Sequence, residues 1–118
     1  KAKADAVGQA EIYRNDYAIS LCRSEGIQSP TIVGAQAANE LLNIRGIKAS
    51  FVLTEYQGRI YISARSIDEV NVQVIMERMG GGGHMNVAGC QVDNSEPGAV
   101  IGTIKGTLDK MIEEGELK

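Results

Sequence analysis

The residues best suited to chemistry form one short run, in which Gly80, Gly81, Gly82 and Gly83 are followed directly by His84. Glycine has no Cβ, so its backbone can approach a ligand closely and adopt positive φ. Successive bare N–H groups can form a concave nest for an anion such as phosphate. The imidazole can donate to the same anion or to a base attached to it. The run therefore predicts a phosphate-binding loop with one side-chain partner.

A structural interpretation of the same run remains open. One glycine can serve as the C-terminal cap of a helix, and a single histidine can be a purely structural group. Four consecutive glycines, however, cost conformational entropy that a cap alone does not require. That cost favours a function for the loop and a ligand contact for His84.

Two familiar glycine motifs do not fit the run. The P-loop requires Lys and then Ser or Thr after its last glycine, and here His84 and Met85 follow. The dinucleotide fingerprint requires glycines between a strand and a helix, whereas these follow a predicted helix. The dipole at a helix C-terminus does not favour an anion, so phosphate binding would depend on local N–H groups and side chains.

A second candidate group is Ser63-Ala64-Arg65-Ser66, at the end of a predicted strand. Alternation along a strand places Ser63 and Arg65 on the same side. A guanidinium flanked by hydroxyls can hold a phosphate, but an exposed arginine with capping serines fits the spacing equally well. Asn71 can cap the helix that follows.

These groups are positioned by a predicted α/β (α+β) fold of order β-β-α-β-β-α-β-α, a five-stranded mixed sheet flanked by about three helices. Period-two patterns and turn signals predict the strands. Capping residues and apolar stripes predict the helices. The first helix has an apolar stripe and small residues suited to close packing on a sheet. The strands are 10–14, 17–23, 49–56, 59–65 and 87–92, the helices are 30–44, 72–79 and one from 97 onward, and the stripe is Ile32, Ala35, Ala38, Leu41 and Leu42.

Composition limits the classes of function. A length of 118 residues fits one domain, covering 1–118. A net charge of -3 gives no general attraction to nucleic acid or acidic lipid. Cys22 and Cys90 are predicted to be free buried thiols of a cytoplasmic protein rather than a disulfide or metal ligands. No apolar run could span a membrane, and no signal peptide is visible. The chain starts at Lys1 without an initiator Met, so we expect a fragment of a larger protein.

In their order along the chain, these motifs resemble the C-terminal DHH-associated domain, first subtype, of the DHH-family phosphoesterases. The resemblance covers nearly the whole chain, and two further stretches make it most similar to the GdpP/YybT-type cyclic-di-AMP phosphodiesterases of Gram-positive bacteria. The motifs are Ser63–Ser66, Asn71–Gln73, Gly80–His84 and Ala88-Gly89, and the further stretches are Ile32–Ala38 and Asn71–Glu77.

The resemblance implies a division of labour. In that family a preceding DHH domain holds two manganese ions and hydrolyses the phosphodiester, and the DHH-associated domain closes over the cleft. It implies that Arg65 and Ser66 contact phosphate, that the glycine run and His84 contact phosphate or nucleotide, and that Asn71 lies near the cleft. No catalytic residue, metal ligand or cofactor is expected in this chain, so the isolated chain is expected to be inactive.

Two functions follow as hypotheses. The first is the substrate-binding domain of a manganese-dependent cyclic-di-AMP phosphodiesterase, partnered by a DHH domain of the same polypeptide. This hypothesis includes a homodimeric parent protein that is anchored in a membrane, with this domain on the cytoplasmic side. The alternative is a nucleic-acid-binding module, as in RecJ-type single-strand exonucleases or related DHH phosphoesterases. A sequence pI of about 5.1 and the absence of tryptophan favour a small ligand over a long strand.

Overall fold

The computed structural model describes residues 1–23 and 25–117. Within this part of the chain, four helices and six strands alternate in the order α-β-β-α-β-β-α-β-β-α. The elements are α1 (Ala2–Gly8), β1 (Glu11–Tyr13), β2 (Tyr17–Cys22), α2 (Pro30–Leu41), β3 (Ala49–Tyr56), β4 (Arg59–Ser66), α3 (Val72–Glu77), β5 (Gly82–Gly83), β6 (Val87–Asp93) and α4 (Pro97–Glu113).

The six strands form one mixed sheet in the order β1-β2-β3-β4-β6-β5. Strands β2 and β3 are parallel, and α2 connects them. Every other neighbouring pair is antiparallel. Two consequences matter for function: β4 lies beside β6, and the glycine-containing β5 forms the edge next to them.

Helices cover both faces of the sheet, so there are two apolar cores. On one face α1 and α2 pack against β2 and β3 through small side chains. On the other face α3 and α4 pack over the middle strands through large ones. The first core includes Ala6, Ala18, Ala37, Ala38, Leu41 and Val52, and the second includes Tyr17, Phe51, Ile62, Ile75, Met76, Ile104 and Leu108.

The mixed α/β class was predicted correctly, but the count of five strands and about three helices was too low. The additional helix is α1, whose seven residues contain one buried side chain, Ala6, and therefore show no apolar stripe. The additional strand is β5, which consists of Gly82 and Gly83 alone. A strand made of glycines has no alternation of polar and apolar side chains. It is recognised as a strand only by its pairing with β6.

The buried face of α2 also differs from the prediction. Ile32 is 57% exposed, and the helix instead buries its small residues against the sheet. Gly34 lies so close to β3 that a Cβ on it would overlap Oγ1 of Thr54. That hydroxyl is buried and has no hydrogen-bond partner among the described residues. The predicted close packing of small residues is thus confirmed, with a face rotated away from Ile32. The buried residues are Pro30, Gly34, Ala37, Ala38 and Leu41.

Replacing Gly34 by alanine is expected to destabilise the chain, because overpacking against Thr54 outweighs the better helix propensity of alanine. The expected loss in unfolding free energy is up to about 2 kcal/mol, because overpacking costs about 1 to 3 kcal/mol and the better helix propensity of alanine returns about 1 kcal/mol. Urea denaturation measures it.

Two further variants make this test specific. Gly102→Ala lies on the exposed side of α4 with open space around the new Cβ, so the same substitution there should stabilise the chain. Adding Thr54→Ala to Gly34→Ala should recover part of the loss, because the overlapping hydroxyl is gone. Equal effects of Gly34→Ala and Gly102→Ala would contradict the close approach of α2 to β3.

Candidate functional site

The two candidate groups lie side by side on the sheet, as the strand register shows. Arg65 on β4 is opposite Val87 on β6, and the carbonyl of Val87 accepts a hydrogen bond of 2.8 Å from the backbone N–H of His84. Neighbouring strands are about 4.8 Å apart. The backbones of Arg65 and His84 are therefore roughly 10 Å apart at the same level of the sheet.

The row of paired residues that lies two positions from Arg65 along the strands is almost free of side chains. Ser63 on β4 is opposite Gly89 on β6, and Gly89 is opposite Gly82 on β5. Because residues two apart on a strand share a face, this row lies on the same side as Arg65. We call Ser63, Gly89 and Gly82 the glycine shelf. The backbone here is partly exposed and carries few side chains, which leaves room for a flat or bulky ligand beside the guanidinium.

The guanidinium of Arg65 is held by three neutral acceptors. Its Nε donates to Oδ1 of Asn39 on α2 at 2.9 Å, and its Nη1 donates to the carbonyls of Ala64 at 2.9 Å and Ala88 at 3.5 Å. Its Nη2 donates to no residue in the described part of the chain. The side chain is thus fixed in place with one nitrogen left for a ligand.

The charge of Arg65 is not compensated by a carboxylate. Arg14, Arg59 and Arg78 each lie within 4.0 Å of an acidic side chain. Arg65 forms none of the ion pairs found in residues 1–23 and 25–117. It is half-buried, and desolvation lowers the pKa of its guanidinium. A partly desolvated, unpaired cation is a site at which an anion would be stabilised.

Part of the predicted nest of N–H groups is already used inside the fold. The N–H of Gly80 donates to the carbonyl of Glu77 at 3.1 Å, and that of Gly81 donates to the carbonyl of Met76 at 2.8 Å. Gly80 also has a φ of +90°, as expected for the residue that ends a helix. Gly80 and Gly81 therefore cap α3, and their N–H groups do not face a ligand.

Gly82 differs from Gly81 and Gly83 in the space that is available for a Cβ atom. A Cβ on Gly81 would overlap the carbonyl oxygen of Gly89, and one on Gly83, whose φ is +143°, would come within 2.6 Å of the Cα of Ala88. Around Gly82 no atom of the described residues lies within 4 Å of such a Cβ. Three of the four glycines thus have a structural reason, and Gly82 has none in the described part of the chain.

His84 lies at the tip of the β5–β6 hairpin and is exposed. Its position at the level of Arg65 leaves the imidazole accessible from the side of the glycine run. A direct ligand contact for His84 remains a prediction.

Ser66 has a different environment from Arg65. Its hydroxyl is buried and donates to the carbonyl of Val70 at 2.6 Å. The same oxygen accepts a hydrogen bond from Nδ2 of Asn86 at 2.9 Å. Asn86 thereby connects the loop after β4 to the tip of the hairpin that carries His84. Ser66 therefore holds this loop in place, and a phosphate contact for Ser66 remains a prediction.

Asn71 is the N-terminal cap of α3. Its side chain accepts a hydrogen bond of 3.2 Å from the backbone N–H of Val74. The capping role suggested by the sequence is confirmed, and this hydrogen bond fixes the start of the helix whose other end leads into the glycine run.

Three residues of this region were not selected as site residues from the sequence. Asn39 lies 26 residues before Arg65, and nothing in a helical sequence marks it as a partner for an arginine. Asn86 directly precedes β6, and Gly89 is the third residue of that strand. The sequence carries a signal for Gly89, because an isolated glycine in a strand often marks a close backbone approach.

The described residues show no donor set for a metal ion, since no three His, Cys, Asp or Glu side chains cluster in them. Cys22 and Cys90 are buried and free, and burial raises the pKa of both thiols. No helix in the described ranges is long and apolar enough to cross a membrane.

Known proteins are similar to this chain in sequence. The chain is 44% identical over 87 residues to the cyclic-di-AMP phosphodiesterase PdeA of Listeria monocytogenes, covering 73% of this chain and 13% of PdeA. It is 35% identical over 115 residues to the cyclic-di-AMP phosphodiesterase GdpP of Geobacillus thermodenitrificans, covering 97% of this chain and 17% of GdpP. The chain thus spans less than a fifth of the length of these relatives.

The fold also matches a solved structure at low sequence identity. An exopolyphosphatase-related protein from Bacteroides fragilis superimposes with a TM-score of 0.80 at 19% identity, over 93% of this chain and 34% of that one. The model of the DHHA1 domain matches residues 17–114, which include every strand from β2 to β6 and the glycine run. The chain therefore belongs to the DHHA1 domain family.

Proposed function

We propose that this chain is the substrate-binding part of a phosphodiesterase that hydrolyses cyclic dinucleotides to linear ones, cyclic-di-AMP in particular. The observation that carries the proposal is the unpaired, half-buried Arg65 beside the bare glycine shelf. The names of the relatives PdeA and GdpP supply the class of substrate.

The arrangement suits a ligand that combines phosphate with a larger body. Nη2 of Arg65 can donate to a phosphate oxygen in a charge-assisted hydrogen bond, which is stronger than a neutral one. The glycine shelf leaves room for the attached sugar or base to lie against the backbone. His84, roughly 10 Å away in backbone position, provides a second donor that an extended phosphodiester can reach.

Hydrolysis itself is assigned to a DHH domain of the same polypeptide. The described residues do not fit a manganese site, because they bring no donor set together. In such a domain, bound metal ions would lower the pKa of a water and provide the nucleophile. The contribution of this chain is to hold the phosphodiester in a productive orientation, which lowers the entropic part of the barrier.

The experiment compares three ligands on the isolated chain by isothermal titration calorimetry: the linear dinucleotide pApA, cyclic-di-AMP and a single-stranded DNA oligonucleotide. We expect weak binding of both dinucleotides, because half of the cleft is absent, and no tighter binding of the oligonucleotide, because the net charge is -3. We also expect no cleavage of cyclic-di-AMP in the presence of Mn²⁺.

Each outcome has a clear meaning. Cleavage by the chain alone would show that the division of labour is wrong. Tighter binding of the oligonucleotide than of either dinucleotide would favour the RecJ-like alternative. Absence of binding to all three ligands would leave a purely structural domain and contradict the proposal.

A further inference from the structure

Arg65 is oriented by a side chain from outside the sheet, Asn39 on α2. The Nε–H of Arg65 donates to Oδ1 of Asn39 at 2.9 Å. Two backbone carbonyls hold Nη1. Asn39 is therefore the only side chain among the described residues that hydrogen-bonds to the guanidinium. It binds Nε, and Nη2 is the nitrogen that is left for a ligand.

The chemical nature of this partner matters as much as its position. An amide oxygen accepts the hydrogen bond without carrying a charge. An aspartate at the same place would form an ion pair with the guanidinium and would neutralise it. The other arginines show what that pairing looks like: Arg14 contacts Asp109 at 2.7 Å, and Arg59 contacts Asp93 at 3.5 Å.

We propose that Asn39 is a positioning residue that holds Arg65 in its ligand-binding orientation while leaving its positive charge available to the phosphodiester. Because Asn39 acts through Arg65, its role rests on the function proposed above. The proposal needs both properties of the amide: the hydrogen bond that orients the fork, and the absence of a negative charge next to it.

The two properties are separated by two substitutions. Asn39→Asp keeps an acceptor at the same atom and adds a negative charge. It should lower the affinity for pApA by about tenfold to a hundredfold, the range expected when a charge-assisted hydrogen bond loses its strength. Its melting temperature should stay equal or rise, because an ion pair replaces a hydrogen bond. A merely structural role would couple weaker binding to a lower melting temperature.

Asn39→Ala removes the acceptor without adding charge. The affinity should fall by about threefold to tenfold, because the guanidinium loses the hydrogen bond that orients it but keeps its charge for the ligand. In a nitrogen-15 NMR spectrum, the Nε–Hε resonance of Arg65 should shift and its proton should exchange faster with water, since its acceptor is gone.

The matched control is Asn43→Asp, which makes the same chemical change at an exposed residue just after α2. It changes the net charge by the same amount without touching Arg65. Its affinity for pApA should remain within about twofold of the wild type, because Asn43, which is exposed as Asn39 is, forms no hydrogen bond with Arg65 in the described part of the chain.

The results distinguish failure of this inference from failure of the proposed function. If the wild type binds pApA and Asn39→Asp binds it equally well, or if Asn39→Asp and Asn43→Asp weaken binding equally, the positioning role is overturned and the proposed function stands. Unfolding of Asn39→Asp would also overturn it, because the geometry predicts a stable ion pair. Absence of binding by the wild type would overturn both.

Discussion

Replacing Arg65 by alanine should reduce the affinity of the chain for pApA by about a hundredfold, more than any other single side-chain deletion at the site. The guanidinium is half-buried, its Nη2 has no acceptor among the described residues, and no described carboxylate pairs with it. Loss of hydrogen bonds from a charged group costs about 1.5 to 3 kcal/mol each, and 1.4 kcal/mol is a factor of ten. Isothermal titration calorimetry measures the change.

The matched control is Arg59→Ala. Arg59 starts the same strand, is exposed, and pairs with Asp93 at the opposite end of β6. Its removal deletes the same charge and should leave the affinity almost unchanged. Arg65→Lys should restore only part of the binding, because an ammonium lacks the planar fork that matches phosphate. Similar affinities of the Arg65→Ala and Arg59→Ala variants would show that the ligand does not bind at Arg65.

The second large effect is expected in the glycine run, where one substitution should reduce stability and its neighbour should reduce ligand binding instead. Gly81→Ala should lower the unfolding free energy by about 3 kcal/mol, the upper end for overpacking. Its Cβ would overlap the carbonyl oxygen of Gly89 and come within 2.8 Å of the Cα of Cys90. Both are backbone atoms of β6, so relief requires the sheet itself to move. Urea denaturation measures this loss.

Gly82→Ala is the counterpart one residue later. Open space surrounds its Cβ, so the unfolding free energy should change by less than about 0.5 kcal/mol. The new methyl group would stand on the glycine shelf, and the affinity for pApA should fall by about tenfold, since a close ligand would have to move. Unchanged binding by a stable Gly82→Ala variant would show that the ligand does not lie on the shelf.

The sequence predicted the elements that carry their own local signals. The strand Ala49–Tyr56 was predicted with its observed bounds, and the alternation in Arg59–Arg65 placed Ser63 and Arg65 on one side, as the burial pattern confirms. The capping role of Asn71 was also predicted from the sequence. Each of these features depends on residues within a few positions of one another, because side-chain period and capping are local properties.

The sequence was less informative where an element had no side-chain pattern. The sequence predicts one functional loop for the glycine run, because one glycine is enough for a helix cap and the run has four. The structure divides it: Gly80 and Gly81 cap α3, Gly81 and Gly83 make room for β6, and Gly82 alone has no internal steric reason. The conformational cost of the run is largely explained by folding.

By itself, the sequence determined the family, the mixed α/β class and the two motifs that carry the candidate site. Only the tertiary structure decided how those motifs meet: β6 lies between them, Ser66 is buried in its loop, and Asn39 from α2 holds Arg65 across 26 residues of sequence. The physical reason is that periodicity and caps are encoded within a turn or a strand. The contact between the neutral acceptor Asn39 and the cation Arg65, by contrast, results from packing between two elements that are distant in sequence. Neither element's sequence indicates the other as its partner.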